Sequence, residues 1–111
     1  MTHPNVRLLF SLNLALIVVA SLIPSSMPSL WNLDKVGHFA AYASLFTLAQ
    51  FVFPDTATRV KVFVLAVGLG IMLEWLQSFV PGRETSALDA IANTIGLLFG
   101  ILLYRVLKSF L

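Results

Sequence analysis

The sequence predicts an all-α fold, an integral membrane bundle of four transmembrane helices that run up, down, up and down. Three observations lead to this prediction. Of the 111 residues, 59% are hydrophobic and only 11% are charged, whereas about a quarter of the residues of a typical soluble domain are charged. The mean hydropathy is +0.93, and a soluble fold of this length cannot bury so much apolar surface. The apolar residues form four long runs, none with the strict apolar–polar alternation of a β-strand.

Prolines and charged residues bound the four apolar runs, which cover residues 8–23, 36–53, 60–80 and 87–104. Each run is close to the roughly 20 helical residues that cross about 30 Å of hydrocarbon, and a helix satisfies its own backbone in lipid. The first run could instead be a cleaved signal peptide. We interpret it as a span because the chain after it is equally apolar and no convincing cleavage site follows. The sequence predicts one domain over residues 1–111.

Lysine and arginine are distributed unequally between the two ends of such a bundle. With four spans, both termini and residues 54–59 lie on one side. Five cations belong to that side, namely Arg7, Arg59, Lys61, Arg105 and Lys108, and two belong to the other side, namely Lys35 and Arg83. Cytoplasmic loops carry the excess of such residues, so we predict that both termini are cytoplasmic. Trp31 and Tyr104 would then anchor opposite membrane interfaces.

The composition also excludes several classes of function. A soluble enzyme is excluded by the hydropathy. The net charge is only +2, so a phosphate-tracking surface is not expected and we predict no nucleic-acid partner. The chain has no cysteine, which excludes disulfides, thiolate nucleophiles and cysteine metal sites. No spacing of histidines and acids indicates a metal site, and we expect neither a metal nor a cofactor.

Polar residues gather at the outer ends of the last three predicted spans. In each group a spacing of three or four residues places some of the side chains on one helical face, namely Asp34, His38 and Tyr42, then Glu74 and Gln77, then Asp89 and Asn93. The groups are Asp34, Lys35, His38 and Tyr42 in the second span, Glu74 and Gln77 in the third, and Arg83, Ser86, Asp89 and Asn93 at the start of the fourth. We expect Asp34 or His38 to lie within side-chain reach of Arg83 or Asp89, because charges in lipid need partners.

Glu74 is the residue of this set that packing explains least well. Six residues separate it from the end of its predicted span, which places it roughly 9 Å inside the apolar zone. A charged residue at the centre of a membrane helix costs about 2.5–3.5 kcal/mol on insertion scales, and such residues are functional candidates. Arg83 is the nearest cation in sequence on that side, and we predict that the two residues are coupled.

Other members of the set have a structural interpretation as well. Ser86-x-x-Asp89 is typical of a capping box at the start of a helix. Asp34 suits the first turn of its helix, and Asn93 could bond between helices. The motif Gly96-x-x-x-Gly100 predicts close helix packing.

The polar blocks together resemble the VanZ-like family. The first block is Asp34-Lys35-x-x-His38-Phe39-x-x-Tyr42, and the second is Glu74-x-x-Gln77-x-Phe79-x-Pro81-Gly82-Arg83-x-x-Ser86-x-x-Asp89-x-x-x-Asn93-x-x-Gly96. The resemblance implies a small bacterial integral membrane protein of the cytoplasmic membrane, related to a protein of low-level teicoplanin resistance. Under this resemblance, the family's motif positions correspond to Asp34, Lys35, His38, Tyr42, Glu74, Gln77, Arg83, Ser86, Asp89 and Asn93.

Two functions and a structural alternative follow from the polar set. In the first, it is a ligand-binding site for a cell-envelope amphiphile, a glycopeptide antibiotic or a partner membrane protein. In the second, the chain is an intramembrane enzyme acting on a lipid-linked substrate. His38 would be the general base, oriented by Asp34 or Asp89, and Glu74 would be the general acid. In the third, the polar network only packs the helices. The absence of a nucleophile motif favours binding or packing over catalysis.

Overall fold

The computed structural model consists of four α-helices joined by short connections. It describes residues 4–22, 31–80 and 87–111, with side chains for residues 5–22, 36–80 and 87–111. The helices are α1 (Pro4–Leu22), α2 (Trp31–Val52), α3 (Thr56–Gln77) and α4 (Ala87–Ser109). No strand occurs within these described ranges. The predicted all-α bundle is therefore confirmed.

The helices extend beyond four of the eight predicted span boundaries. α2 begins at Trp31 rather than at residue 36, α3 begins at Thr56 rather than at residue 60, and α4 continues to Ser109. The helices continue past these predicted spans because a charged residue ends an apolar run without ending a helix. Lysine and arginine are good helix formers, and their long side chains reach polar surroundings from a helix end.

The C-terminus of α3 lies three residues before the end of its predicted span. The helix ends at Gln77, and the next three residues form tight turns in which Ser78, Phe79 and Val80 donate to the carbonyls three positions earlier. Proline follows at position 81, and a proline disfavours helical backbone at the residue before it. Glu74 therefore lies in the last turn of α3, roughly 5 Å from its end along the axis.

Asp55 is the N-cap of α3 and the last residue of the three-residue connection between α2 and α3. Its carboxylate accepts bonds from the Thr58 amide at 2.9 Å and from the Thr58 hydroxyl at 2.8 Å. Both bonds hold the pKa of the Asp55 carboxyl below its ordinary value, and the bond from the Thr58 hydroxyl has the larger effect. This N-cap fixes the turn between α2 and α3. The N-cap predicted for α4, Ser86, lies outside the described residues.

The helices have the surface of a membrane protein. Within the described residues, α1, α3 and α4 are each long and apolar enough to cross a membrane, and α2 has a shorter apolar stretch over Val36–Val52. Large apolar side chains point away from the bundle, with Leu16 and Leu65 about 70% exposed. Polar side chains are buried between the helices, namely Ser21, Thr47, Gln50, Gln77, Asp89 and Asn93. This inversion of the soluble pattern suits lipid as the solvent.

The most extensive helix contact joins α2 and α4, which run parallel. A Cβ on Gly96 would collide with the backbone oxygen of Phe39, and one on Gly100 would lie 2.8 Å from the backbone oxygen of Ala43. The predicted role of Gly96-x-x-x-Gly100 in close packing is confirmed. α3 packs against both of these helices, and α1 packs against α2 and α3.

Candidate functional site

Polar side chains from α2, α3 and α4 lie at one end of the bundle, which we call the His38 end. Its described members are His38, Glu74, Gln77, Asp89 and Asn93. They come together because α2 and α4 are parallel, so the start of α2 lies beside the start of α4, while the antiparallel α3 brings its last turn to the same end. Gln77, Asp89 and Asn93 are almost fully buried, at 3%, 2% and 3% exposure.

The imidazole of His38 is the link between α2 and α4 at this end. Its Nδ1 lies 3.0 Å from Asn93 Oδ1, and because an amide oxygen only accepts, Nδ1 donates this bond. Its Nε2 lies 3.9 Å from Asp89 Oδ2, an ion pair when the ring is protonated. The expected approach of His38 to Asp89 is therefore observed, and Asn93 is an additional partner. Asp89 lies in the first turn of α4, where the helix dipole favours a negative charge.

A glycine of α3 lets that helix approach the same network. Gly70 is buried, and a Cβ at this position would lie 3.1 Å from Asn93 Nδ2 and 3.5 Å from the Tyr42 hydroxyl. Tyr42 is itself 3% exposed. Gly70 thus gives α3 access to side chains of α2 and α4, and it extends the polar network one level deeper into the bundle.

Glu74 is partly buried and is engaged in an interaction. Gly70 and Gln77, four residues before it and three residues after it, share its helical face and are buried, so Glu74 lies toward the bundle side of α3. Among the described side chains, every buried nitrogen or oxygen has a hydrogen-bond partner. The His38 end is therefore a satisfied network, and within the described ranges no group of three or more His, Asp or Glu residues could hold a metal ion.

Four of the predicted site residues cannot be compared with this geometry. The backbone of Asp34 and Lys35 belongs to the first turns of α2, but their side chains lie outside the described residues. Arg83 and Ser86 lie outside them entirely. The predicted coupling of Glu74 with Arg83 and the capping box of Ser86 therefore stay predictions.

A groove runs between α1 and α2 and ends at His38. It has a volume of about 820 Å³ and is lined mainly by apolar side chains of both helices. Ser21 and His38 line one end, whereas Leu9 and Leu48 line the other. The groove exists because α2 presents small residues along it, namely Gly37, Ala40, Ala41 and Ser44.

The groove is open on the outer surface of the bundle. Leu12 and Leu16, which line it, are 56% and 68% exposed. In a bilayer this opening faces lipid rather than water. His38 thus takes part in two features, because its ring nitrogens face Asn93 and Asp89 of α4 and the residue also lines the groove.

Comparison with known proteins gives the chain its family. The sequence profile of the VanZ/LLP1 family matches residues 3–108. The chain belongs to the VanZ/LLP1 family. No curated protein and no solved structure matches it significantly. The predicted resemblance to VanZ-like proteins is confirmed, together with the membrane character of this VanZ/LLP1 chain.

The opposite end of the VanZ/LLP1 bundle contains a second polar cluster, which the sequence analysis did not predict. We call it the Arg59 end, and its members are Gln50, Arg59, Tyr104 and Lys108. Arg59 of α3 donates through Nε to the Phe53 carbonyl at 2.6 Å and through one terminal nitrogen to the Gln50 carbonyl at 2.7 Å. It therefore caps one carbonyl in the last turn of α2 and one just after the end of that helix.

Tyr104 of α4 completes this cluster. Its hydroxyl lies 3.0 Å from the Arg59 guanidinium. The centroid of its ring lies 4.8 Å from the guanidinium carbon of Arg59 and 5.5 Å from the ammonium nitrogen of Lys108. The Gln50 side chain also donates to the Gly100 carbonyl at 3.0 Å. A signal was present in the sequence, because Arg59 follows the predicted end of the second span by six residues. From the sequence alone, that charge indicates only the orientation of the bundle.

Proposed function

We propose that this VanZ/LLP1 protein lies in the bacterial cytoplasmic membrane and binds a cell-envelope amphiphile through its His38 end. One observation carries the proposal: residue His38 belongs both to a buried polar network and to the lining of a groove that opens toward lipid. Buried polar groups in a membrane bundle are costly and usually mark a functional path. A network used only for packing gives no reason for His38 to line an open groove.

The charges of the network favour a particular kind of head group. Its described members include two acids, Glu74 and Asp89, and one histidine, His38. A head group that is cationic or of mixed charge complements this set better than a purely anionic one. Such a ligand would compete for the His38 ring, whose partners among the described residues include Asn93 and Asp89.

We further propose that the His38 end faces outward and that both termini are cytoplasmic. The support is the division of lysine and arginine along the sequence: five belong to the termini and the segment from residue 54 to 61, and two belong to the connections on the other side. In that orientation the groove is accessible from the outer leaflet, where envelope precursors are used. A glycopeptide antibiotic or a partner membrane protein remains an alternative ligand for the same end.

No observation favours the enzyme alternative. Within the described residues, both ring nitrogens of His38 face side chains of α4, at 3.0 and 3.9 Å. A general base needs its acceptor nitrogen directed at the proton that it removes. We therefore take binding as the function that this geometry supports best.

The test is the set of lipids that the purified protein retains. The protein would be extracted with its surrounding lipid in polymer discs, exchanged into mild detergent, and analysed by mass spectrometry. We expect wild type to retain one class of amphiphile, and His38→Gln and Asn93→Ala to lose most of it. Thr94→Val is the matched control, because Thr94 is adjacent on α4 and its hydroxyl bonds only to Ala90 of its own helix, at 3.0 Å.

Three results would contradict the proposal. Equal retention in wild type and His38→Gln would show that the network does not recognise the ligand. Equal loss in Thr94→Val would show that the losses reflect damaged packing. A protein found crosslinked at the His38 end, without a retained amphiphile, would favour the partner-protein alternative.

A further inference from the structure

We infer that the groove between α1 and α2 holds one acyl chain of the ligand, so that the ligand is a membrane lipid-type amphiphile that enters sideways from the bilayer. This inference rests on the proposed function of the His38 end, and it specifies the class of ligand. The polarity of the groove is the first argument. Ser21 and His38 lie at one end and Leu9 and Leu48 at the other, which matches a polar head joined to an apolar chain.

The length of the groove is the second argument. Leu9 and Ser21 are twelve residues apart on α1, which corresponds to about 18 Å along the helix axis. The hydrocarbon core is about 30 Å thick, so one leaflet contributes about 15 Å. A groove of this length fits a chain confined to one leaflet.

The mouth of the groove is the third argument. Its floor consists of small residues of α2, and the Ser44 hydroxyl turns back to the Ala40 carbonyl at 2.8 Å, so that the serine presents little polarity to an occupant. Its rim includes the exposed leucines Leu12 and Leu16 of α1. An acyl chain can enter such a mouth without leaving an apolar environment, whereas a water-soluble ligand would have to cross lipid.

The chain offers matched variants for a test. Gly37 and Gly68 are both exposed helical glycines at which a Cβ meets nothing within 4 Å. Gly37 lines the groove, whereas Gly68 of α3 does not. Gly37→Leu therefore fills the groove, and Gly68→Leu is the control for the same change. Ser44→Leu fills the groove at a position farther from His38.

The probe is lysophosphatidylcholine, a single-chain lipid of mixed charge, with a photoreactive diazirine at the end of its acyl chain. The full-length protein in detergent would be irradiated and the crosslinked peptides identified by mass spectrometry. We expect crosslinks on the groove-lining faces of α1 and α2 around Leu9 and Leu48. Both filling variants should lower the apparent affinity about tenfold, because displacing about two methylene groups from an apolar site costs about that much. Gly68→Leu should bind like wild type.

The outcomes separate the two proposals. Crosslinks spread over all exposed apolar faces, or unchanged in both filling variants, would overturn the groove as a chain site. A covalent dimer joined across the groove would overturn it in favour of a second copy. Groove crosslinks that are lost in both filling variants but unchanged in His38→Gln would support the groove and overturn the proposed role of the His38 end.

Discussion

Individual polar residues connect the helices at both ends of this apolar bundle. At one end His38 of α2 bonds to Asn93 of α4. At the other end Gln50 of α2 bonds to the Gly100 carbonyl of α4, and Arg59 of α3 bonds to Tyr104. The two clusters differ in what they leave open. The His38 end borders a groove, whereas Arg59 uses its nitrogens on backbone carbonyls and a tyrosine, which is a structural task.

We predict that Arg59→Lys destabilises the protein although it keeps the charge. The guanidinium bonds to two carbonyls and one hydroxyl in a fixed fork, and an ammonium cannot reproduce that geometry. Hydrogen bonds to charged groups contribute about 1.5–3 kcal/mol each, so a loss of about that size is expected in thermal unfolding in detergent. Arg105→Lys is the matched control, because Arg105 is exposed. Equal losses for the two variants would contradict the structural role of Arg59.

The sequence was informative about which residues at the His38 end are polar, and less informative about their pairing. The four-residue spacing placed His38 and Asp89 on faces that could meet, and they lie 3.9 Å apart. The bond from His38 to Asn93 was not predicted, because its formation depends on how α2 and α4 are rotated about their axes. Arg59 was missed for a similar reason, since its partners are backbone carbonyls, which any sequence offers.

At the scale of elements, the seam between α2 and α4 organises the bundle. Gly96 and Gly100 have no side chain, so the backbones of α2 and α4 come into contact there. The two helices are then close enough for Thr47 and Gln50 to reach the Gly100 carbonyl. The motif predicted this close approach but not the partner helix. α2 is the partner, because its small residue Ala43 lies opposite both glycines.

We predict that Gly96→Ala and Gly100→Ala each destabilise the bundle, whereas Gly68→Ala stabilises it slightly. The added methyl group would meet backbone atoms of α2 at the first two positions and open space at the third. Overpacking typically costs about 1–3 kcal/mol, and replacing an exposed helical glycine by alanine gains about 0.5–1 kcal/mol. Unfolding of the three variants in mixed micelles would measure the difference. A stabilised Gly96→Ala variant would show that the seam is looser than this geometry implies.

The groove illustrates what could not be predicted about the elements. It results from small residues of α2 meeting an α1 that covers them incompletely. Glycine, alanine and serine in a membrane helix are just as consistent with tight packing, as at Gly96. Which small residues are covered by a neighbour and which are left open depends on the arrangement of all four helices.

At the scale of the whole molecule, lysine and arginine are concentrated toward one end of the bundle, whereas exposed apolar residues occur on all four helices. The apolar surface surrounds the bundle, but five of the seven lysines and arginines belong to the Arg59 end. Only one acid of the chain, Asp55, accompanies them there. Arg59 is committed to carbonyls and Tyr104, whereas Lys61, Arg105 and Lys108 are exposed. The exposed cations can therefore be changed to test orientation without dismantling the fold.

We predict that orientation depends on these exposed cations. Because the chain has no cysteine, Ser29→Cys and Ala57→Cys report the two ends separately with an impermeant thiol reagent in intact cells. We expect Ser29→Cys to react and Ala57→Cys to react only after the cells are opened, since the side richer in lysine and arginine stays cytoplasmic. Combining Lys61→Gln, Arg105→Gln and Lys108→Gln leaves two cations on each side, so both positions should then react in part. If Ala57→Cys alone reacted in intact cells of the parent, the His38 end would face the cytoplasm and its ligand would have to come from the inner leaflet.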